Sequence, residues 1–285
     1  MSQRRYTLSL SCPDRVGIVA AVSGLIASCK GWILEASYHA DAVTRWFFMR
    51  QEILAESLSI DIDEFRGRFA ALAKEFDMNW RLSDSAVKKR IALFVSRQDH
   101  CLSDLLYRWR NQEFDFDIVC VISNHPALRG FVEFHQIPYY HVPITPENKV
   151  RSFGRMEDLV NEHRADAIVL ARYMQILPRG FCDRFDGRII NIHHSFLPSF
   201  LGGRPYHQAY ERGVKLIGAT CHYVTGDLDA GPIIDQDVIR VDHSDAVEDM
   251  MRLGRDVEKT VLARGLRYHV QERVLIHQNK TIVFD

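Results

Sequence analysis

Residues 188–198, RIINIHHSFLP, form a short apolar stretch that ends in polar side chains. Four similar apolar runs precede it, at Ile91–Val95, Ile118–Ile122, Tyr139–His141 and Ala167–Leu170. Stretches with the helical spacing of apolar residues separate these runs, at Leu102–Asn111, Ala127–His135 and Val150–His163. The repeated strand–helix–strand pattern predicts an α/β fold with a mostly parallel sheet and helices on both faces. Ligands bind such sheets beyond the carboxyl ends of the strands, where the polar residues of 188–198 lie.

The segment before these runs, up to residue 84, has a different pattern. Strand-like alternation and helical spacing predict the order βαββαβ, at Tyr6–Ser11, Val16–Cys29, Trp32–Ala40, Arg45–Ile53, Asp61–Phe76 and Met78–Leu82. Ser83–Arg90 has no apolar periodicity and is interpreted as a linker between two domains. The alternative is a solvated loop within one domain.

Composition excludes several classes of protein. The 36 basic and 37 acidic residues nearly cancel, which argues against a nucleic-acid-coating protein and against a highly charged disordered chain. The six cysteines are scattered without a C-x-x-C pair, so buried thiols in a reducing cytosol are expected rather than disulfides or a zinc knuckle. We find no secretory signal and no run long enough to span a bilayer, so the sequence predicts a cytoplasmic protein without membrane partners.

Two side chains at the end of the last strand suit acyl chemistry. Alternation puts Asn191 and His193 on the same side of the strand. An amide can stabilise a developing oxyanion, and an imidazole can transfer a proton near neutral pH. The alternative is that both side chains only cap loop backbone.

A second segment, 222–234, reads HYVTGDLDAGPII. A strand enters a loop rich in glycine and aspartate, and Asp229 lies where the loop could bring a carboxylate towards His193. The alternative is an ordinary hairpin, because Gly-Asp and Gly-Pro pairs are common in turns.

Together the two segments resemble the folate-dependent formyltransferase family, which carries Asn-x-His at a strand end and an aspartate in a Leu-Asp-x-Gly-Pro loop. Asn191, His193 and Asp229 match these motifs. Further residues in register are Ser195, Leu197, Pro198, Gly231 and Pro232. The resemblance implies a Rossmann-like formyltransferase domain for residues 85–285.

The resemblance can be narrowed. Family members that formylate a phosphorylated co-substrate need a glycine-rich turn after the first strand to hold the phosphate. Here residues 95–104 read VSRQDHCLSD, which contains no glycine and carries Asp99 where an anion would bind. The extra C-terminal domain of the enzymes that formylate methionyl-tRNA is also not expected. What remains resembles the family's deformylases, in which an ACT-like regulatory domain, here residues 1–84, precedes the catalytic domain and water accepts the formyl group. This implies hydrolysis of 10-formyltetrahydrofolate to formate and tetrahydrofolate, supporting one-carbon balance and purine biosynthesis.

The resemblance assigns the catalytic roles. Asn191 would donate to the formyl oxygen, His193 would transfer protons to the leaving nitrogen, and Asp229 would orient water and accept its proton. No cofactor and no metal is expected. His194 next to His193 suggests zinc, but neighbouring strand residues should point to opposite faces.

The resemblance also implies the folate contacts. The expected substrate-binding residues are Tyr173, Met174, Gln175, Ile176, Leu177, Ser195, Arg204, Thr225, Gly226 and Gly231. Core packing is the alternative for Tyr173–Leu177, and a surface charge is the alternative for Arg204. His100 and Cys101 are interpreted as a buried structural pair, with a place in a water pocket as the alternative.

The turn Asp14–Gly17 resembles the site at which ACT domains bind amino acids. Asp14, Arg15 and Gly17 are therefore candidate contacts for an amino-acid effector, whereas the alternative is that Asp14 caps the helix. A homo-oligomer, dimer or tetramer, is expected from the way ACT units pair.

Two other functions share these motifs. The chain could transfer the formyl group to an amine on a small sugar nucleotide, or it could be a folate-binding or amino-acid-sensing regulator without activity. Features of the acceptor site would discriminate the first alternative, and binding without turnover would support the second.

Overall fold

The computed structural model describes residues 3–199 and 205–285, and contacts divide the chain into two units. The first unit contains the residues up to Lys88 together with Gln271–His277 and Ile282–Asp285. The second contains Lys89–Val270 and Gln278–Thr281. No helix among the described residues is long and apolar enough to cross a membrane.

The first unit is an antiparallel sheet with two helices. Its elements are β1 Arg5–Pro13, α1 Ile18–Ser28, β2 Ile33–Asp41, β3 Trp46–Leu54, α2 Ile62–Glu75 and β4 Asn79–Asp84. The strand order is β2-β3-β1-β4, with every pair antiparallel. The predicted βαββαβ order is confirmed, and the small antiparallel sheet is consistent with an ACT-like domain.

Alternation along the strands builds the core of this unit. Leu8 and Leu10 of β1 pack with Phe65 and Phe69 of α2 in one apolar cluster. Helix α2 begins after Asp61, whose carboxylate accepts hydrogen bonds from two backbone amides of the first turn.

A buried arginine joins the C-terminal segment to this unit. Arg50 of β3 donates to Glu52 at 2.5 Å, to the Gln271 carbonyl at 3.0 Å and to the Glu272 carbonyl at 3.2 Å. Because these acceptors satisfy its guanidinium, the charge is tolerated at 1% exposure. The tail is thereby part of the first unit.

The second unit has a seven-stranded sheet flanked by helices. Its elements are β5 Lys89–Val95, α3 His100–Arg110, β6 Phe116–Ser123, α4 Arg129–Phe134, β7 Tyr139–His141, α5 Lys149–Glu162, β8 Ala167–Leu170, α6 Arg179–Arg184, β9 Ile189–His193, α7 Pro205–Arg212, β10 Leu216–Tyr223, β11 Ile233–Arg240 and α8 Val247–Val270. The order is β11-β10-β9-β8-β5-β6-β7. A terminal hairpin follows, β12 Val274–His277 and β13 Lys280–Val283.

Strands β5 to β9 are parallel, whereas β10 and β11 are antiparallel. The mostly parallel α/β sheet predicted from the sequence is therefore confirmed. Ile91–Val95 are all fully buried, as expected for a strand covered on both faces. Because β9, β8 and β5 are neighbours, the residues that follow their carboxyl ends lie along one edge of the sheet.

Candidate active site

Asn191 and His193 lie on β9 beside the antiparallel strand β10. Asn191 is paired with His222, and His193 is paired with Thr220. Paired residues of adjacent strands carry their side chains on the same face, so β10 presents His222 to Asn191. The loop after β10 then returns with Asp229.

Four side chains meet at this point. His193 Nδ1 lies 3.3 Å from Asp229 Oδ2, and Asn191 Nδ2 lies 3.1 Å from His222 Nε2. His222 Nε2 is also 3.8 Å from Asp229 Oδ1. The structure therefore brings together the three residues assigned from the resemblance. It adds His222, which the sequence placed in the right segment without giving it a role.

The contacts of His222 define the protonation state of its ring. Its Nδ1 lies 2.8 Å from the Tyr223 carbonyl, which can only accept, so Nδ1 carries the hydrogen. Burial lowers the pKa of His222, and a neutral ring leaves Nε2 as an acceptor. The Asn191 amide therefore donates to His222 with one hydrogen and keeps its second hydrogen for another acceptor.

Asp229 is an anion held against an imidazole. Burial raises its pKa, but the hydrogen bond from His193 and the electrostatic attraction of that ring, with smaller contributions from the other nearby histidines, outweigh burial and hold the pKa below the ordinary 3.8. Its backbone is left-handed, with φ 53°, a conformation that aspartate tolerates better than most residues. The loop thus presents an ionised carboxylate to His193 Nδ1.

One ring nitrogen of His193 is not used in the contact with Asp229. With Nδ1 directed at Asp229, Nε2 is buried and has no hydrogen-bond partner among the residues that the structure describes. A buried polar atom without a partner is costly, so this nitrogen is an exception to the usual pairing of buried polar groups. Nε2 is therefore the atom available for proton transfer.

Buried hydrogen bonds hold the chain after β9. Thr220 Oγ1 donates to the Ser195 carbonyl at 2.9 Å and accepts from the Leu197 amide at 3.0 Å. Gln236 donates to Thr220 Oγ1 and to the Leu197 carbonyl. The Ser195 hydroxyl donates to the Ser199 carbonyl at 2.8 Å, so this expected folate contact is also part of the loop's own structure.

Tyr173–Leu177 fits both interpretations made from the sequence. Tyr173 and Leu177 are buried in the apolar core, as the packing alternative expects. Met174 and Ile176 are 55% and 60% exposed, and Gln175 is intermediate. The exposed apolar side chains offer a surface on which a flat pterin ring could lie.

The Asp229 loop needs its glycines. A Cβ on Gly231 would come 1.9 Å from the Tyr223 carbonyl oxygen, and one on Gly226 would come 2.8 Å from Arg179. The Thr225 hydroxyl donates to the Asp227 carbonyl at 3.2 Å. These residues shape the loop, whereas Arg204 lies outside the described residues.

A second buried cluster contains Glu258, at 1% exposure. Glu258 accepts from Tyr206 at 2.8 Å, is paired with His100 Nε2 at 2.8 Å, and lies 3.3 Å from Arg172 Nε. Cys101 beside it is fully buried, which raises the pKa of its thiol. His100 is half-buried and pairs with Glu258, a partner that the sequence did not predict.

Within the described part of the chain, the group of ligand atoms close enough to hold a metal is that of His100, Cys101 and Glu258. The Arg172 guanidinium at 3.3 Å already supplies positive charge there, which disfavours a cation. The prediction that His193 and His194 point to opposite faces of one strand is wrong. Strand β9 ends at His193, and the imidazole rings of the two residues lie 5.3 Å apart.

The turn before α1 differs from the capping alternative. Helix α1 begins after Gly17, which has a φ of 100°, and no side chain caps it. The expectation that Asp14 caps the helix is wrong, because the helix starts later than the sequence indicated. Arg15 donates to the Glu75 carbonyl at 2.7 Å. The effector site remains a prediction.

His194 should make stability depend on pH. Burial, and next the charge of Arg172, lower its pKa from 6.5 to about 4. Between these values the unfolded chain binds more protons than the folded chain, so stability falls as pH falls from about 6.5 towards 4. His194→Gln should reduce this slope by up to about 1.4 kcal/mol per pH unit.

Urea unfolding at a series of pH values measures this slope. His243→Gln is the matched control, because His243 is exposed. Equal slopes in wild type and His194→Gln would contradict the assignment.

The fold and the Asn–His–Asp arrangement define a domain of the formyl transferase class, and the family described as "Formyl transferase" matches residues 89–266. A formyltetrahydrofolate deformylase from Synechocystis is 45% identical over 100% of both chains. The crystal structure of a formyltetrahydrofolate deformylase from Pseudomonas syringae is 61% identical, with a TM-score of 0.98, over 100% of this chain and 96% of that one. The chain belongs to the formyltetrahydrofolate deformylase family, as the resemblance implied.

A solved formyltransferase structure covers a smaller share of the chain than the deformylases do. Glycinamide ribonucleotide transformylase 1 from Symbiobacterium toebii is 27% identical, with a TM-score of 0.66, over 70% of this chain and 95% of that one. The deformylase relatives from Synechocystis and Bacillus subtilis, by contrast, are covered over 100% and 93% of their own length, and cover 100% and 98% of this chain.

Proposed function

We propose that this protein hydrolyses 10-formyltetrahydrofolate to formate and tetrahydrofolate. The observation that carries the proposal is the convergence of Asn191, His193 and Asp229 in a chain that aligns with deformylases end to end. No cofactor is proposed beyond the folate substrate.

In the proposed reaction, water attacks the formyl carbon and forms the new C–O bond. Asp229 orients this water and accepts its proton, directly or through His193. The free hydrogen of the Asn191 amide is donated to the formyl oxygen as negative charge develops there. The proton taken from water reaches His193 Nε2, which gives it to the leaving nitrogen as the C–N bond breaks, and the formic acid formed releases its proton to solvent. Formate and tetrahydrofolate are the products.

The substrate surface that we propose combines two segments. Tyr173–Leu177 presents apolar side chains and backbone, and the loop Thr225–Gly231 presents Leu228 at 60% exposure. The close approach of Gly226 to Arg179 places this loop beside the helix that follows Tyr173–Leu177. A folate pterin between the two segments would lie beside Asp229. Arg204 and Ser195 remain proposed further contacts.

Transfer to an amine is the competing activity. The buried cluster around Glu258 argues against a large acceptor, because charged side chains and Tyr206 leave a cavity of only about 140 Å³ beside His194. We therefore favour water as the acceptor.

We also propose the organisation expected from the sequence. Residues 1–84 would serve as an ACT-like regulatory domain in a homo-oligomer, with an amino acid held at Asp14, Arg15 and Gly17. Residues 85–285 would form the catalytic domain, acting in the cytoplasm and supplying formate for purine biosynthesis. Candidate amino acids that change neither activity nor melting temperature would remove the effector proposal.

The direct test is incubation of the purified protein with 10-formyltetrahydrofolate and water alone. Equal release of formate and tetrahydrofolate, lost in His193→Ala, is the expected result. Release that requires an added amine would establish the transferase, and binding of folate without turnover would establish a regulator.

A further inference from the structure

The segment 172–177, which includes the proposed pterin surface, forms neither helix nor strand. The buried side chains of Tyr173 and Leu177 anchor this segment in the apolar core. Between these two anchors, the side chains of Met174 and Ile176 are more than half exposed. The core therefore holds the two sides of the segment, and the conformation of its middle depends on hydrogen bonds.

One hydrogen bond holds the backbone of this segment. The Met174 amide donates to Ser96 Oγ at 2.9 Å. Within the two described ranges, no other hydrogen bond reaches the backbone of 172–177. The remaining amides and carbonyls of the segment are left to a ligand or to water. Ser96 is thus the polar contact that fixes the middle of the segment.

Ser96 is itself held by Asn124. Ser96 follows β5 and Asn124 follows β6, so both lie at the edge of the parallel sheet from which the segment after β8 also starts. The Ser96 hydroxyl donates to Asn124 Oδ1 at 2.7 Å. The two residues are only 3% and 8% exposed, so water competes little for these atoms. One chain of hydrogen bonds therefore joins three strand ends.

The number of hydrogens fixes the direction of this chain. The Met174 amide can only donate, so Ser96 Oγ is the acceptor in that contact. A buried hydroxyl hydrogen needs an acceptor, and the single hydrogen of Ser96 goes to the side-chain carbonyl oxygen of Asn124. Asn124 thereby orients the hydroxyl so that a lone pair of Ser96 faces the Met174 amide.

We propose that Ser96 is a positioning residue for folate binding and that Asn124 orients its hydroxyl. Ser96 holds the Met174 backbone in the conformation that receives the pterin, so the segment is ordered before the substrate arrives. A ligand binds more tightly to a segment that already has the binding conformation. The inference rests on the proposed function, which places the pterin on Tyr173–Leu177.

Ser96→Ala tests this role in the full-length protein, because it removes the acceptor of the Met174 amide. It should raise KM for 10-formyltetrahydrofolate about two- to tenfold, the usual contribution of one hydrogen bond. The value of kcat should stay within about twofold, because the bond supports binding of the ground state and of the transition state equally. Calorimetric titration with tetrahydrofolate should show the same loss of affinity without turnover.

Ser57→Ala is the matched control. The Ser57 hydroxyl also accepts from a backbone amide, that of Trp32 at 2.8 Å, and donates to the Leu54 carbonyl at 2.6 Å, but it belongs to the first unit. This variant should lower the melting temperature and leave KM unchanged. An unchanged KM in folded Ser96→Ala, an equal rise in the control, or a fall in kcat at unchanged KM would overturn the proposal.

Hydrogen exchange of the free protein gives a readout that needs no activity. The peptide that contains Met174 should exchange faster in Ser96→Ala than in wild type, and at the wild-type rate in Ser57→Ala. Equal exchange in all three proteins would show that other groups hold the Met174 amide, against the proposal.

Two substitutions of Asn124 cover the case in which Ser96→Ala does not fold. Asn124→Ala removes the acceptor for the Ser96 hydroxyl and should raise KM several-fold. Asn124→Asp keeps an acceptor oxygen and should recover part of the loss. Equal losses in the two variants would assign the effect to the amide nitrogen of Asn124 and overturn its role through Ser96.

These measurements separate the positioning role from the proposed hydrolysis. If the protein releases no formate but binds tetrahydrofolate, and Ser96→Ala weakens this binding, the proposed function fails while the positioning role stands. If hydrolysis proceeds with an unchanged KM in both Ser96→Ala and Asn124→Ala, the positioning role alone fails.

Discussion

Asp229→Asn is expected to lower kcat by about 10²–10⁴-fold, the usual contribution of a positioned acid or base. Asparagine has nearly the same shape, so the loop should keep its conformation, and the left-handed φ of 53° suits asparagine as well. What is lost is the charge beside His193 and the ability to accept a proton from water. Steady-state kinetics of formate release measure the effect.

Asp227→Asn is the matched control for this prediction, because Asp227 lies on the same loop and is exposed. It should leave kcat within about twofold of wild type, since surface substitutions away from special features have small effects. Full activity in Asp229→Asn, or an equal loss in the control, would remove Asp229 from its catalytic role. Melting temperatures of both variants show whether the fold is intact.

The sequence predicted the parts of the site that follow from local periodicity. Alternation placed Asn191 and His193 on one face of a strand, and β9 has this arrangement. The distance from His193 to Asp229 spans a loop, and periodicity carries no information about how a loop returns. The residues alone left an ordinary hairpin as the alternative for Asp229, and the resemblance favoured the site.

The role of His222 depends on strand register. Pairing of β9 with β10 places His222 opposite Asn191, and a shift by one residue would turn it away. The antiparallel neighbour of β9 was not predicted, so the acceptor for the Asn191 amide could not be found. The available signal was His222 itself, which lies near the end of the strand that leads into the segment 222–234.

Ion pairs between residues far apart in the chain also could not be predicted from the sequence. Arg172 and Glu258 meet because β8 and α8 pack into one unit, although the residues are far apart in the chain. The tail joins the first unit through backbone carbonyls that accept from Arg50 and through side-chain contacts such as Arg81 with Glu272 and Trp46 with His277. Contacts between residues so far apart in the chain leave no local pattern, so a boundary drawn from local patterns leaves the tail in the second domain.

Asn191→Ala is expected to lower kcat by about 10²–10³-fold, equivalent to about 2.7–4 kcal/mol, as for loss of one oxyanion donor. The donor acts as charge develops on the formyl oxygen, so kcat should fall while KM changes little. The same assay of formate release measures both constants. A raised KM with unchanged kcat would show that Asn191 only binds the ground state.

The bond between Asn191 and His222 allows a sharper test. His222→Asn keeps a donor for the Tyr223 carbonyl but removes the acceptor at the Nε2 position, whereas His222→Gln restores an acceptor there. The first variant should lower kcat by about tenfold, and the second should recover part of it, if His222 positions the amide. In a double-mutant cycle, His222→Asn should then cost almost nothing in the Asn191→Ala background. If the two losses in kcat instead multiply in the double variant, the two residues act independently, and other groups orient the amide.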